Sequence, residues 1–108
     1  MTYTTNYGIV SLGGIDMRIA VDNHVGHNAI RHINNQGHKV VFKAQNQLDR
    51  VWFESALDYG ADLVVSMDWD IAFLCNRHNV KFIQLGQGIG GVDAAKFVLD
   101  RINKGQFD

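Results

Sequence analysis

Three acidic residues stand where strands should end, and their type and spacing favour metal chemistry. Asp22 directly follows the segment 18–21, and Asp68 and Asp70 follow the segment 63–66. Short segments rich in β-branched residues are typical of buried parallel strands, whose carboxyl ends meet at one edge of a sheet. Carboxylates gathered there repel one another, and a hard cation such as Mg2+ or Mn2+ relieves the repulsion. The spacing therefore predicts a divalent-metal site that includes Asp22, Asp68 and Asp70.

The elements that must position these acids alternate between strands and helices from Arg18 onward. Strands are predicted at residues 18–22, 39–43, 62–67 and 80–85. Apolar residues at helical spacing predict helices near 25–35, near 49–59, from residue 70, and over the last segment of the chain. Such alternation predicts the α/β class, with a parallel sheet and right-handed crossovers.

Composition limits the possible functions. A chain of 108 residues that is 46% hydrophobic is expected to bury one core. Its apolar runs are far shorter than the roughly 20 residues that cross a bilayer, and its start lacks a secretory pattern, so we expect no membrane association and a cytoplasmic location. Cys75 is the only cysteine, which excludes an internal disulfide and a multi-cysteine zinc site. The net charge of -1 predicts no broad basic face for duplex nucleic acid.

The first residues differ from the rest of the chain. Residues 1–16 are rich in Thr, Tyr, Asn and Gly, and they contain a Gly-Gly turn signal. We interpret them as an N-terminal extension that forms a strand, a hairpin or a tail. Residues 17–108 then form the main domain.

Four short motifs occur in order along that domain. They are Ile-Ala-Val-Asp-Asn-His at 19–24, Gly-His-Lys-Val-Val at 37–41, Asp49 at a helix start, and Val-Val-Ser-Met-Asp-Trp-Asp at 64–70. This set resembles the small PIN-like domains associated with toxin-antitoxin loci, over roughly residues 17–85. The resemblance implies a PIN-like three-layer α/β/α sandwich with a mainly parallel four-stranded sheet. It also implies clustered acids that hold Mg2+ or Mn2+ for cleaving RNA.

The resemblance carries four acids over to this chain as catalytic candidates. Asp22 falls on the first-strand acid of the family, Asp49 on its helix-start acid, and Asp68 and Asp70 on its third-strand pair. We interpret Asp22 and Asp68 as direct metal ligands and Asp70 as a second ligand or a base that orients water. Asp49 is interpreted as an outer-sphere or second-metal carboxylate. Such a site would promote in-line hydrolysis of a phosphodiester.

Four neighbouring residues are candidates for substrate binding. Asn23 and Ser66, the latter where the family usually has Thr, are interpreted as polar supports for water or phosphate. His24 lies two residues beyond Asp22 and is placed to contact a phosphate from the rim of the site. Trp69 lies between two acids and is a candidate to cover the site or stack a base, with ordinary packing as the structural alternative.

Two departures from the family pattern keep other functions open. Asn23 stands where Glu is usual, and Val51 stands where a further acid is often found. A catalytically weakened PIN-like binding or regulatory protein is therefore the alternative to a metal-dependent endoribonuclease. A receiver-like signalling domain with Asp68 as phosphoacceptor is a third possibility. In a purely structural interpretation, Asp22 ends a strand and the other acids serve turns and helix caps.

Partners follow from these interpretations. RNA is the expected substrate, and an antitoxin-like protein inhibitor is a candidate partner. A homodimer is also a candidate, because a four-stranded sheet has exposed edges that self-association covers. The sequence Gly86-x-Gly88-x-x-Gly91 matches a dinucleotide fingerprint in form, but no second strand follows it to supply the ribose-binding acid.

Overall fold

Strands and helices alternate through residues 16–108, the part of the chain that the computed structural model describes. The elements are β1 (Arg18–Val21), α1 (His27–Asn35), β2 (Lys39–Lys43), α2 (Asp49–Asp58), β3 (Leu63–Ser66), α3 (Trp69–Arg77), β4 (Lys81–Gln84) and α4 (Gly91–Lys104). The predicted α/β class, with four strands and four helices, is thereby confirmed. Nearly all of the predicted N-terminal extension lies outside the described residues. None of the helices within residues 16–108 combines the length and the hydropathy of a membrane span.

The four strands form one sheet in the order β2-β1-β3-β4, and all of its pairings are parallel. From β1 the chain crosses over to β2 on one side, and it later returns to β3 on the other side. The carboxyl ends of β1 and β3 therefore form the topological switch point, where open α/β sheets bind ligands. The loops that leave these two ends carry Asp22 and Asp68.

Alternate strand residues point to opposite faces of the sheet, and each face has its own core. Helices α1 and α4 cover one face, where the strands contribute Ile19, Val21, Leu63, Val65 and Ile83. Helices α2 and α3 cover the other face, where the strands contribute Ala20, Val64 and Phe82. The sheet therefore lies between two helical layers, and α2 and α3 pack beside each other on the face that carries the candidate site.

The last residues of the chain cover the outer edge of β4. The backbone N–H of Asp108 donates to the carbonyl of Phe82 at 2.7 Å, and the backbone N–H of Gln84 donates to the Asp108 carboxylate at 2.7 Å. Arg101 holds the same carboxylate at 2.9 Å. Because these bonds pair groups that a sheet edge leaves open, the C-terminal segment protects β4 from edge-to-edge association.

Candidate functional site

The loop between β3 and α3 brings Asp68 and Asp70 together. Asp68 is the N-cap of α3, and its Oδ1 accepts a hydrogen bond from the backbone N–H of Asp70 at 2.9 Å. An N-cap carboxylate satisfies an amide that the helix itself leaves unpaired. The cap therefore positions Asp68 over the first helical turn, where the side chain of Asp70 also lies.

Asp49 joins this pair from the neighbouring helix. It is the first residue of α2, which follows Leu48 at the N-cap position. Asp49, Asp68 and Asp70 each offer a carboxylate oxygen, and these three oxygens all lie within 4.8 Å of one another. All three acids therefore stand at the N-termini of two adjacent helices, where the helix dipoles favour negative charge. We call these three residues the acidic cluster.

Asp49 shows the electrostatic cost of this arrangement. Its pKa is raised, first by burial, then by a hydrogen bond shared with the Asp68 carboxyl and by the negative charges of Asp68 and Asp70. A hydrogen bond from Trp52 acts in the opposite direction. Asp49 therefore resists ionisation while no cation is bound.

Asp22 occupies a different environment, because it is buried and bound by protein donors. Its Oδ2 accepts hydrogen bonds from the Ser66 hydroxyl and the Met67 backbone N–H, both at 2.8 Å. Its Oδ1 accepts from the His24 backbone N–H at 2.9 Å. These bonds join the loop after β1 to the loop after β3. Asp22 is not a member of the acidic cluster, and its role as a direct metal ligand stays a prediction.

Ser66 links Asp22 to the loop that carries Asp68. The Ser66 hydroxyl donates to Asp22 and accepts from the backbone N–H of Asp68 at 3.0 Å. From the other side, the side-chain amide of Gln84 donates to the Met67 carbonyl at 2.7 Å. Buried Asp22 and the end of β4 therefore hold the loop that carries Asp68.

The four predicted substrate-binding residues divide into two groups. Asn23 and His24 are exposed in the loop after β1, and the His24 Nδ1 lies 3.6 Å from the Asp22 carboxylate. Trp69 is 74% exposed at the start of α3. Ser66 is fully buried, and both of its hydrogen bonds go to the protein, so the structure gives it a supporting place beneath the site.

A cavity of about 460 Å³ opens beside the acidic cluster, between α2 and α3. Its lining residues are Asp49, Arg50, Asp70, Phe73, Leu74, Asn76 and Arg77. Sequence reasoning missed Phe73 and Arg77 as site residues. The available signal was helical spacing, because Phe73 and Arg77 lie four and eight residues after Trp69 and so share its helix face.

The donor set suits Mg2+ or Mn2+. Carboxylate oxygens are the ligands that these hard cations prefer, and three of them approach one another closely here. Burial raises the pKa of Asp49 most, and the negative charges of Asp68 and Asp70 raise it further; a divalent cation would offset these charges. Asp68 and Asp70 are exposed, so an ion and its water would reach them from solvent.

Asp49→Asn is expected to stabilise the metal-free protein at pH 7. Because folding raises the pKa of Asp49, its stabilising contribution is present at acidic pH and is lost as pH rises through the folded pKa. Ionised Asp49 therefore costs stability at neutral pH, and the neutral amide removes this cost. We expect the free energy of unfolding to rise by about 0.5 kcal/mol, the scale of a partly exposed charge interaction. Urea unfolding in EDTA measures the change.

The pH dependence provides the control for this prediction. The gain from Asp49→Asn should disappear near pH 3, below the ordinary carboxyl pKa of about 4, where wild-type Asp49 is also neutral. Glu54→Gln, on the exposed side of the same helix, should show no comparable gain at pH 7. Equal or lower stability of Asp49→Asn at pH 7 would contradict the prediction.

The chain matches no protein-family model, and the comparisons with curated proteins and with solved structures gave no match.

Proposed function

We propose that this protein is a divalent-metal-dependent, PIN-like nuclease that hydrolyses phosphodiester bonds in RNA. The observation that carries the proposal is the convergence of Asp49, Asp68 and Asp70 beside the switch point of the sheet. The order of the sequence motifs supports it independently. A cytoplasmic location, an antitoxin-like inhibitor and a homodimer belong to the same proposal.

The residues of the cluster have distinct parts in this chemistry. Asp49, Asp68 and Asp70 would hold Mg2+ or Mn2+. When bound, the cation would offset the negative charge of the scissile phosphate and lower the pKa of a bound water molecule. The exposed carboxylate of Asp70 is available to accept a proton from the attacking water. Asp22 and Ser66 support the site indirectly, because their hydrogen bonds hold the loop that carries Asp68 in one position.

Metal binding and RNA cleavage test the proposal together. Mn2+ is titrated into metal-free protein by calorimetry, and a labelled single-stranded RNA is incubated with the protein in Mn2+ or in EDTA. We expect saturable Mn2+ binding, cleavage in Mn2+ alone, and a higher melting temperature with Mn2+. Asp70→Asn should weaken Mn2+ binding about tenfold or more, because it removes one of three charged ligands.

Asp93→Asn is the matched control. Asp93 is an exposed acid in the first turn of α4, on the opposite face of the sheet, so its loss should leave Mn2+ affinity and cleavage unchanged. Wild-type protein that neither binds Mn2+ nor cleaves RNA would overturn the proposal. Cleavage that continues in EDTA would overturn the metal-dependent mechanism.

One observation favours a binding or regulatory protein as a second candidate. Val51 is 49% exposed on α2, two residues after Asp49, and Leu48 before it is 78% exposed. Exposed apolar side chains beside a charged site are typical of a surface that binds a partner. Folded protein that shows no response to Mn2+ would favour this candidate over the nuclease.

A further inference from the structure

Two aromatic side chains are exposed on α3 beside the acidic cluster. Trp69 is 74% exposed and Phe73 is 75% exposed. They lie four residues apart on one helix, so their side chains are neighbours on the same face. Phe73 also lines the cavity that Asp49 and Asp70 line. Two exposed aromatic rings therefore lie beside the acidic cluster on the helix that also carries Asp70.

Two arginines line the same cavity from different helices. Arg50 belongs to α2 and Arg77 to α3. Among residues 16–108, neither guanidinium group forms an ion pair with an acidic side chain within 4 Å. Arg77 lies seven residues after Asp70, or about 10 Å along the helix axis. The cavity therefore has carboxylates toward one end of α3 and a guanidinium group toward the other.

We propose that Trp69, Phe73, Arg50 and Arg77 form the path of a single-stranded RNA that runs along α3 to the acidic cluster. The two rings stack unpaired bases, and the two guanidinium groups bind phosphates. This inference rests on the proposed function, because it names the strand that the metal site would cleave.

Charge and shape favour this ligand over the alternatives. An apolar peptide would bury the rings but would leave the two arginines without acceptors. A duplex keeps its bases paired and stacked, so their faces are not free to cover Trp69 and Phe73. Unpaired bases joined by phosphates satisfy both observations, and a cavity of about 460 Å³ is of the size that binds small organic groups.

Binding in EDTA tests the path without requiring a metal or cleavage. The probe is a labelled single-stranded RNA of about 10 nucleotides, within the range that single-strand-binding grooves cover. Anisotropy gives its affinity, and tryptophan fluorescence reports stacking. The chain has two tryptophans, and Trp52 is buried, so RNA-dependent quenching should come from Trp69.

The aromatic variants should weaken binding strongly. Trp69→Ala and Phe73→Ala should each reduce RNA affinity about fivefold or more, the scale of one lost stacking contact. Tyr59→Ala is the matched control, because Tyr59 is an exposed aromatic at the opposite end of α2 and should not affect affinity.

The arginine variants should change the salt dependence. Arg50→Gln and Arg77→Gln should each reduce the slope of log affinity against log salt by about 0.7, the value for one lost phosphate contact on a single strand. Arg31→Gln, on α1 across the sheet, should leave the slope unchanged. Single-stranded DNA of the same sequence should depend on the same side chains, because stacking and phosphate contacts do not read the 2′-hydroxyl.

Failure of this inference can be told apart from failure of the nuclease. Wild-type RNA affinity in Trp69→Ala and Phe73→Ala, or tighter binding of duplex than of single-stranded RNA, would overturn the path even if Mn2+-dependent cleavage occurs. RNA binding in EDTA that depends on both rings would support the path even if no condition gives cleavage. Asp93→Asn, on α4 across the sheet, should keep this metal-free binding, and a loss there as large as that of Trp69→Ala would overturn the path.

Discussion

Asp68→Asn is expected to reduce Mn2+-dependent RNA cleavage about a hundredfold or more while leaving the protein folded. Asn caps a helix about as well as Asp, so the hydrogen bond from the Asp70 backbone N–H is retained and α3 keeps its start. The substitution removes one negative charge from the acidic cluster and one oxygen ligand from the proposed cation. Single-turnover cleavage in saturating Mn2+ measures the loss, and circular dichroism checks the fold.

A second substitution separates the charge from the cap. Asp68→Ala removes both, so it should cost about 1 kcal/mol of unfolding free energy in addition to the lost cleavage. Asp93→Asn should cleave like the wild type. If Asp68→Asn cleaves within threefold of the wild type, Asp68 is not a ligand for the catalytic cation and the proposed mechanism is wrong.

Asp22→Ala is expected to cause the largest loss of stability, about 2–4 kcal/mol of unfolding free energy. The buried carboxylate accepts from the Ser66 hydroxyl and from the backbone N–H groups of Met67 and His24, and alanine leaves all three donors unpaired. At about 4–8 °C per kcal/mol, the melting temperature should fall by about 10 °C or more. Thermal unfolding in EDTA measures the effect without any contribution from metal.

Asp62→Ala is the matched control. Asp62 accepts one hydrogen bond at an exposed site, from the Arg18 backbone N–H at 3.2 Å, so its loss should cost less than about 1 kcal/mol. A melting temperature of Asp22→Ala within 2 °C of the wild type would contradict the structural role of Asp22. Asp22→Asn then separates support from ligation. Mn2+ affinity close to the wild type indicates support, whereas a loss of about tenfold or more, as expected for Asp70→Asn, indicates a direct ligand.

Most of the fold could be predicted from local patterns. The predicted strand at 39–43 coincides with β2, and the other strands and the helices differ from the predictions by a few residues at their ends. Buried parallel strands and amphipathic helices repeat their apolar residues at different periods, and those periods are visible within a short window of sequence. Helix starts are located less precisely by these patterns. Asp68 is the N-cap of α3, whereas the sequence predicts that Asp70 opens this helix, because apolar periodicity fixes a helix end only to within one or two residues.

The sequence alone determined that acids follow β1 and β3, and that Asp49 begins a helix. Only the tertiary structure decided which of these acids meet. Asp68 and Asp70 meet Asp49 because α2 and α3 begin side by side, whereas Asp22 is bound by donors that lie 44 and 45 residues later in the chain. How open a carboxylate is to a ligand depends on how many protein donors already bind its oxygens. The packing of the sheet determines which donors reach each carboxylate. The local spacing of residues cannot predict these donors, because they lie far away along the chain.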